Sequence, residues 1–242
     1  MRNMKFLGAV IVFVASLIFF TSCNKEDTGN GAFKVIPDAM IMKKKVNDTV
    51  KYAPAFYAYA NYAVESAEVT APGGGPTLNL SKFKNDQTTF AWLPVGTDFT
   101  DMQPQSGEYN FSVQNINGEV LEDSDFLAPT NIGIPVITKA VYNASDFTVS
   151  VKWDTVQNSD SYFVRLLKQD RSTLYTGYEI SSDSTNYLIR ITDEGWEESP
   201  QPGTTYILQL NAVSYEDNAD FMEIYYHVNA ISSSETHITW SP

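Results

Sequence analysis

The sequence predicts an all-β protein, two tandem β-sandwiches carried behind an export signal. Three observations lead there. Many short segments alternate apolar and polar residues with period two, the pattern of half-buried strands. Clusters of Gly, Pro and Asn separate these segments at the spacing of strand-to-strand turns. Beyond the N-terminus, no long run keeps the 3.6-residue period of an amphipathic helix. Aromatic residues make up 13% of the chain, led by 14 Tyr and 14 Phe, which suits sheets with one buried face.

The N-terminus is read first because it sets the compartment. Arg2 and Lys5 precede an apolar run from Phe6 to Phe20, which ends in Thr21-Ser22-Cys23. A basic start, a short apolar core and small residues form a secretory signal. The run is shorter than the roughly 18–20 apolar residues of a spanning helix. Cys23 is the only cysteine in the protein, so no disulfide is available and stability must come from packed cores. Phe20-Thr21-Ser22-Cys23 resembles a bacterial lipobox. That resemblance implies cleavage before Cys23, lipidation of its thiol and a membrane anchor there. Lys25-Glu26-Asp27 resembles the surface-export signal of Bacteroidetes lipoproteins, which implies an outer-membrane location with the domain facing outside the cell.

Composition narrows the partners. The chain has 16 Lys and Arg against 29 Asp and Glu, a net charge of −13. The signal holds two of those cations and no acid, so the exported part is more acidic still. Neither half offers a basic face to track phosphates, so no nucleic acid is expected as a partner. Residues 1–22 are assigned to the signal and 23–32 to the lipidated cysteine and a polar, Gly-containing tether. Residues 33–130 and 135–242 are assigned to the two sandwiches.

The first half opens at Phe33-Lys34-Val35-Ile36. Ala39 to Val46 follows, where Lys43, Lys44 and Lys45 argue for a solvated edge or loop. Val50 to Glu68 is rich in Ala and Tyr. Pro54 and the flanking turns favour strand over helix there, with Phe56, Ala58 and Ala60 on one face and Tyr57 and Tyr59 on the other. Pro72-Gly73-Gly74-Gly75-Pro76 is a turn; no Lys-Ser/Thr follows, so it is no phosphate loop. Further strands are expected at Thr77–Leu80, Thr88–Leu93, Glu108–Val113 and Glu119–Leu121, with Asn117-Gly118 turning a hairpin. Gly107-Glu108-Tyr109-Asn110-Phe111-Ser112-Val113 resembles a strand common in immunoglobulin-like bacterial domains. Ala128 to Pro135, with two prolines and a glycine, marks the boundary.

The second half resembles a fibronectin type III domain from Pro135 to about Trp240. Its residues include Phe147 to Trp153, ending in a core tryptophan, Ser161 to Leu166, Tyr187 to Ile191, and Thr236 to Trp240. Pro202-Gly203-Thr204-Thr205-Tyr206 matches the family's corner into strand F. The resemblance implies that the Tyr206 hydroxyl bonds back to the backbone. The connection between Glu216 and Ser234 is longer than the family pattern, and 221–230 alternates enough to add an arm or strand.

Little in the sequence points to catalysis. The only histidines, His227 and His237, fall in expected strands, and neither a nucleophile elbow nor H-E-x-x-H spacing is present. No metal site and no cofactor are expected. Asp193, Glu194, Glu197 and Glu198 around Trp196, and Asp217, Asn218 and Asp220, read as solvated acidic loops. Trp196, Tyr225, Tyr226 and Trp240 are the candidate ligand-binding residues, since sugar rings stack on exposed aromatic faces. The expected role is that of a non-catalytic binding or accessory module, with glycans in a polysaccharide-uptake system as one ligand class. The alternative is a structural spacer or protein-interaction subunit of an outer-membrane assembly.

Overall fold

A computed structural model describes residues 32–217 and 227–241. These are almost entirely strand, with a single 3₁₀ turn at Gly96–Asp98 and no α-helix among the described residues. In the first half, β1 (Val35–Val46) pairs antiparallel with β2 (Thr49–Ala60), and β2 pairs with β5 (Thr89–Trp92). On the opposing layer, β3 (Val64–Thr70), β6 (Gly107–Asn115) and β7 (Val120–Leu127) pair in that order. Strand β4 (Thr77–Lys82) joins the layers. Thr77 to Leu80 bond to β3, whereas Ser81 and Lys82 bond to β5. Phe56 lies at the centre, its ring 5.1 Å from Tyr109 and 6.2 Å from Phe111, and both partners are buried.

The second half has the strand order that the resemblance implied. A three-stranded sheet of β8 (Ile137–Asn143), β9 (Thr148–Trp153) and β13 (Asn186–Arg190) opposes β11 (Thr173–Thr176), β10 (Ser161–Leu167), β14 (Thr204–Tyr215) and β15 (Val228–Trp240). A two-residue strand, β12 (Ile180–Ser181), adds to β10. This is an immunoglobulin/fibronectin type III sandwich. Trp153 is buried 5.3 Å from the Tyr162 ring, as expected of the core tryptophan. The Tyr206 hydroxyl accepts the Gln201 N–H at 2.8 Å, so the tyrosine corner is formed. Tyr109 does the corresponding job in the first half, donating to the Gln105 carbonyl at 3.0 Å.

The halves share a sheet. Ile41 to Lys44 of β1 pair in parallel with Ala230 to Ser233 of β15, so hydrogen bonding runs unbroken from β11 to β7. Two prolines sit on stretches of strand edge that lie outside those pairings. Along a strand the N–H groups of residues i and i+2 face the same edge. Ala39 sends its N–H away from β2 to a side chain, so Pro37 presents its missing donor on that edge, before the β15 pairing starts at Ile41. Pro54 faces the β5 edge, between the β5 pairing that begins at Phe56 and the Tyr52–Thr100 bridge.

The structure corrects the reading of the lysine triplet. Lys43 and Lys44 lie within the shared sheet, half-buried and paired on both sides. Lys43 Nζ donates to the Ile132 carbonyl, and Lys44 Nζ sits 3.6 Å above the Phe99 ring. The lysines lay their apolar stems on the sheet, and burial lowers both below the ordinary lysine range. The 128–135 segment is pinned rather than loose. Ile132 is fully buried, Gly133 N–H donates to the Gln157 carbonyl, and the Gln103 amide brackets Thr130 from both sides.

Candidate functional site

The edge of β1 creates an unusual polar site. Because β15 reaches only to Ile41, the preceding residues of β1 have no ladder partner there, and a buried N–H without a partner is costly. Asp125 of β7 supplies one. Its Oδ2 accepts the Ala39 N–H at 2.7 Å, while its Oδ1 accepts its neighbour Phe126 N–H at 2.9 Å. On the adjacent residue, Asp38 Oδ1 accepts the Val228 N–H at 3.3 Å, which ties β1 to the first residue of β15. Glu216 arrives from the end of β14, its N–H donating to the His227 carbonyl at 3.1 Å.

Three carboxylates from three remote parts of the chain thus meet, each offering an oxygen within 4.8 Å of the others. Asp38 is fully buried, and its Oδ2 has no hydrogen-bond partner among the described residues. No lysine or arginine among the described residues forms an ion pair with the three. His227, its Nδ1 3.6 Å from Glu216 Oε2, is the one basic group paired with the three among the described residues.

The electrostatics follow from that geometry. Burial first, and then the Asp125 charge, push the Asp38 carboxyl well above its ordinary range. Burial raises Asp125 as well, opposed by the N–H groups of Ala39 and Phe126. Glu216 is pushed up to about 7 by burial and then by Asp125. Tyr57, directly opposite Asp38 in the β1–β2 pairing, is pushed up to about 12 by burial, with the Asp38 charge adding to it. Removing carboxylates from water without counter-charge costs several kcal/mol each, so each of the three holds its proton more tightly here than in water unless a cation takes the proton's place.

Sequence reasoning missed this site. Asp38 could have been found as the one acid inside the apolar stretch Val35 to Met42. No spacing ties it to Asp125 or Glu216, because the pairing of β1 with β15 brings them together. Glycosidase chemistry also uses two close carboxylates, but it needs a cleft that admits a sugar between them. Asp38 is fully buried, so no sugar reaches it.

The aromatic candidates divide. Trp240 is buried, its ring 4.5 Å from Tyr142 and 5.7 Å from Trp196, so it has no face left for a sugar and belongs to the core. The reason is the strand: the indole sits on the inward face of β15 that Ile238 also lines. Trp196 is half-buried, 4.7 Å from the Tyr175 ring, with Nε1 donating to the Arg190 carbonyl at 2.9 Å. Tyr225, Tyr226 and Cys23 lie outside the described residues, as do Asn218 and Asp220. Acids near Trp196 are engaged rather than simply solvated. Glu194 accepts from the Tyr178 hydroxyl, Glu197 pairs with Lys84 of the first half, and Glu198 pairs with Lys168. His237 is exposed on β15.

No family model matches the chain, and no curated protein matches it. Solved structures resemble it weakly. The BSP domain of a biofilm-associated protein has a TM-score of 0.25 at 15% identity, covering 84% of this chain and 30% of that one. A two-domain fibronectin type III segment of chicken tenascin gives 0.26 at 13%, covering 76% and 91%. A DUF3823 family protein from Bacteroides uniformis gives 0.32 at 9%, covering 86% and 100%. At these scores the likenesses decide nothing about function, and the fold assignment rests on the strand order itself.

Proposed function

We propose that this chain is a non-catalytic lipoprotein of the outer membrane, displayed at the cell surface, whose sandwich binds or positions a partner. The observation that carries the reading is the position of Cys23. The only thiol of the protein closes the apolar signal, and a short polar tether joins it to the folded unit. Two or more acyl chains on that residue anchor stably where one would not. Fatty-acid labelling of the expressed full-length chain tests the anchor. Label is expected on the wild type and lost in Cys23→Ser; label that persists in the variant refutes it.

A glycan is the ligand class that this reading puts first. Glu68, Thr70, Asn110, Ser112, Glu122 and Ser124 line an open polar groove of about 460 Å³ on the outer face of β3, β6 and β7. Carboxylates, hydroxyls and an amide in a row match the alternating donors and acceptors of sugar hydroxyls. A glycan array on residues 24–242 is expected to show binding weakened by Asn110→Ala or Glu122→Gln, with Trp196→Ala and Tyr225→Ala testing the aromatic alternative. Silence across a broad panel rejects the glycan and leaves the second reading, a spacer or protein-interaction subunit. Burial of Trp240 weighs toward that second reading, since it removes one of the four candidate stacking rings.

A further inference from the structure

We propose that Asp38, Asp125 and Glu216 form a calcium site that clamps the first sandwich to the base of the β14–β15 connection. Geometry is the first argument. Two oxygens bound to one calcium at about 2.3–2.6 Å lie no more than about 5 Å apart, and the three carboxylates each offer an oxygen within 4.8 Å of the others. A fully buried and unpartnered oxygen, Asp38 Oδ2, is the second. Native proteins seldom leave such an atom without a donor or an ion. Charge is the third: one imidazole, His227, stands beside three acids.

The donor set selects the ion. Three carboxylates supply between three and six hard oxygens, and water or backbone carbonyls can complete the six to eight that calcium takes. Magnesium prefers one or two carboxylates and keeps several waters, which a fully buried Asp38 disfavours. Zinc prefers nitrogen and sulfur, and the three acids have a single imidazole, His227, and no cysteine beside them among the described residues. The three ligands come from β1, from β7 and from the residue after β14, so a bound ion would join strands that the chain itself connects only through remote segments. Raised carboxyl affinities for protons in the ion-free protein agree with a site built around positive charge.

Residues 24–242, which retain every residue of the described compact unit, are stripped with EGTA and titrated with calcium chloride. The expected result is one ion per chain. Calcium at tenfold over Kd should raise the melting temperature by about 3–6 °C, and equal magnesium should shift it by less. Asp125→Asn and Glu216→Gln should each weaken calcium binding about tenfold or more while remaining folded by circular dichroism. Because Asp125 also accepts the Ala39 and Phe126 N–H groups, Glu216→Gln is the deciding variant. A wild-type protein whose melt is unchanged at about 10 mM calcium, or a Glu216→Gln variant that binds as the wild type does, overturns the proposal. The titration uses purified protein, so it succeeds or fails independently of where the chain resides.

Discussion

Replacing Trp240 with alanine separates a core residue from a ligand platform. The indole is 3% exposed, touches Tyr142 and Trp196, and ends the strand that joins both halves of the protein. A buried aromatic removes about 150–250 Å² from water. At about 25 cal/mol/Å² that is about 4–6 kcal/mol, an upper bound because the unfolded chain is itself partly collapsed. Measured losses for Trp→Ala in cores run about 3–5 kcal/mol, so about 4 kcal/mol is the expected cost. With a urea slope of about 3 kcal/mol/M, the midpoint should fall by about 1–2 M. Trp196→Ala, removing a half-buried ring and one indole hydrogen bond, should cost less. A Trp240→Ala midpoint within about 0.3 M of wild type, with native circular dichroism, would refute the assignment of this ring to the core.

Other expectations are sharp enough to test by the same unfolding assay. Tyr206→Phe and Tyr109→Phe each remove a corner hydrogen bond and should cost about 0.5–1.5 kcal/mol, whereas Tyr178→Phe, which loses only an exposed bond to Glu194, should be close to neutral. Gly195→Ala should destabilise by about 1–3 kcal/mol or more. The residue has φ +96, and a Cβ there would lie 2.1 Å from the Thr176 carbonyl oxygen. In EGTA, stability should fall as pH rises, because Glu216 binds its proton more tightly folded than unfolded. Its share is fully present below the ordinary value of 4.5 and lost as pH passes about 7. Midpoints measured from pH 5 to pH 8 should therefore slope downward in the wild type and less steeply in Glu216→Gln, where the raised Asp38 and Asp125 remain.

The parts of the fold legible in the sequence were those written in local pattern. Thr148 to Trp153, Ser161 to Leu167 and Thr204 to Tyr215 alternate or run apolar, and each is a strand within a few residues of expectation. Phe147, expected in the first of these, instead takes φ 54 in the preceding turn and is half exposed. Strand β7 was read only to Leu121 because Glu122, Asp123, Ser124 and Phe126 are exposed on an edge. Such a strand carries little apolar period to find. The lysines of β1 mislead for a related reason, since their stems pack on the sheet while their ammonium groups find a carbonyl and a ring. The carboxylate cluster was invisible for a deeper one. It depends on a parallel pairing between the first and last strands of the folded unit, and nothing local specifies that.

Two sandwiches joined through β1 and β15, with the proposed ion at their seam, should unfold as one cooperative unit. Scanning calorimetry of residues 24–242, in EGTA and then in calcium, tests it most directly. The account predicts one transition, with calorimetric and van't Hoff enthalpies equal, that moves upward as a whole when calcium is added. Two separate transitions, or a calcium shift confined to one of them, would contradict it.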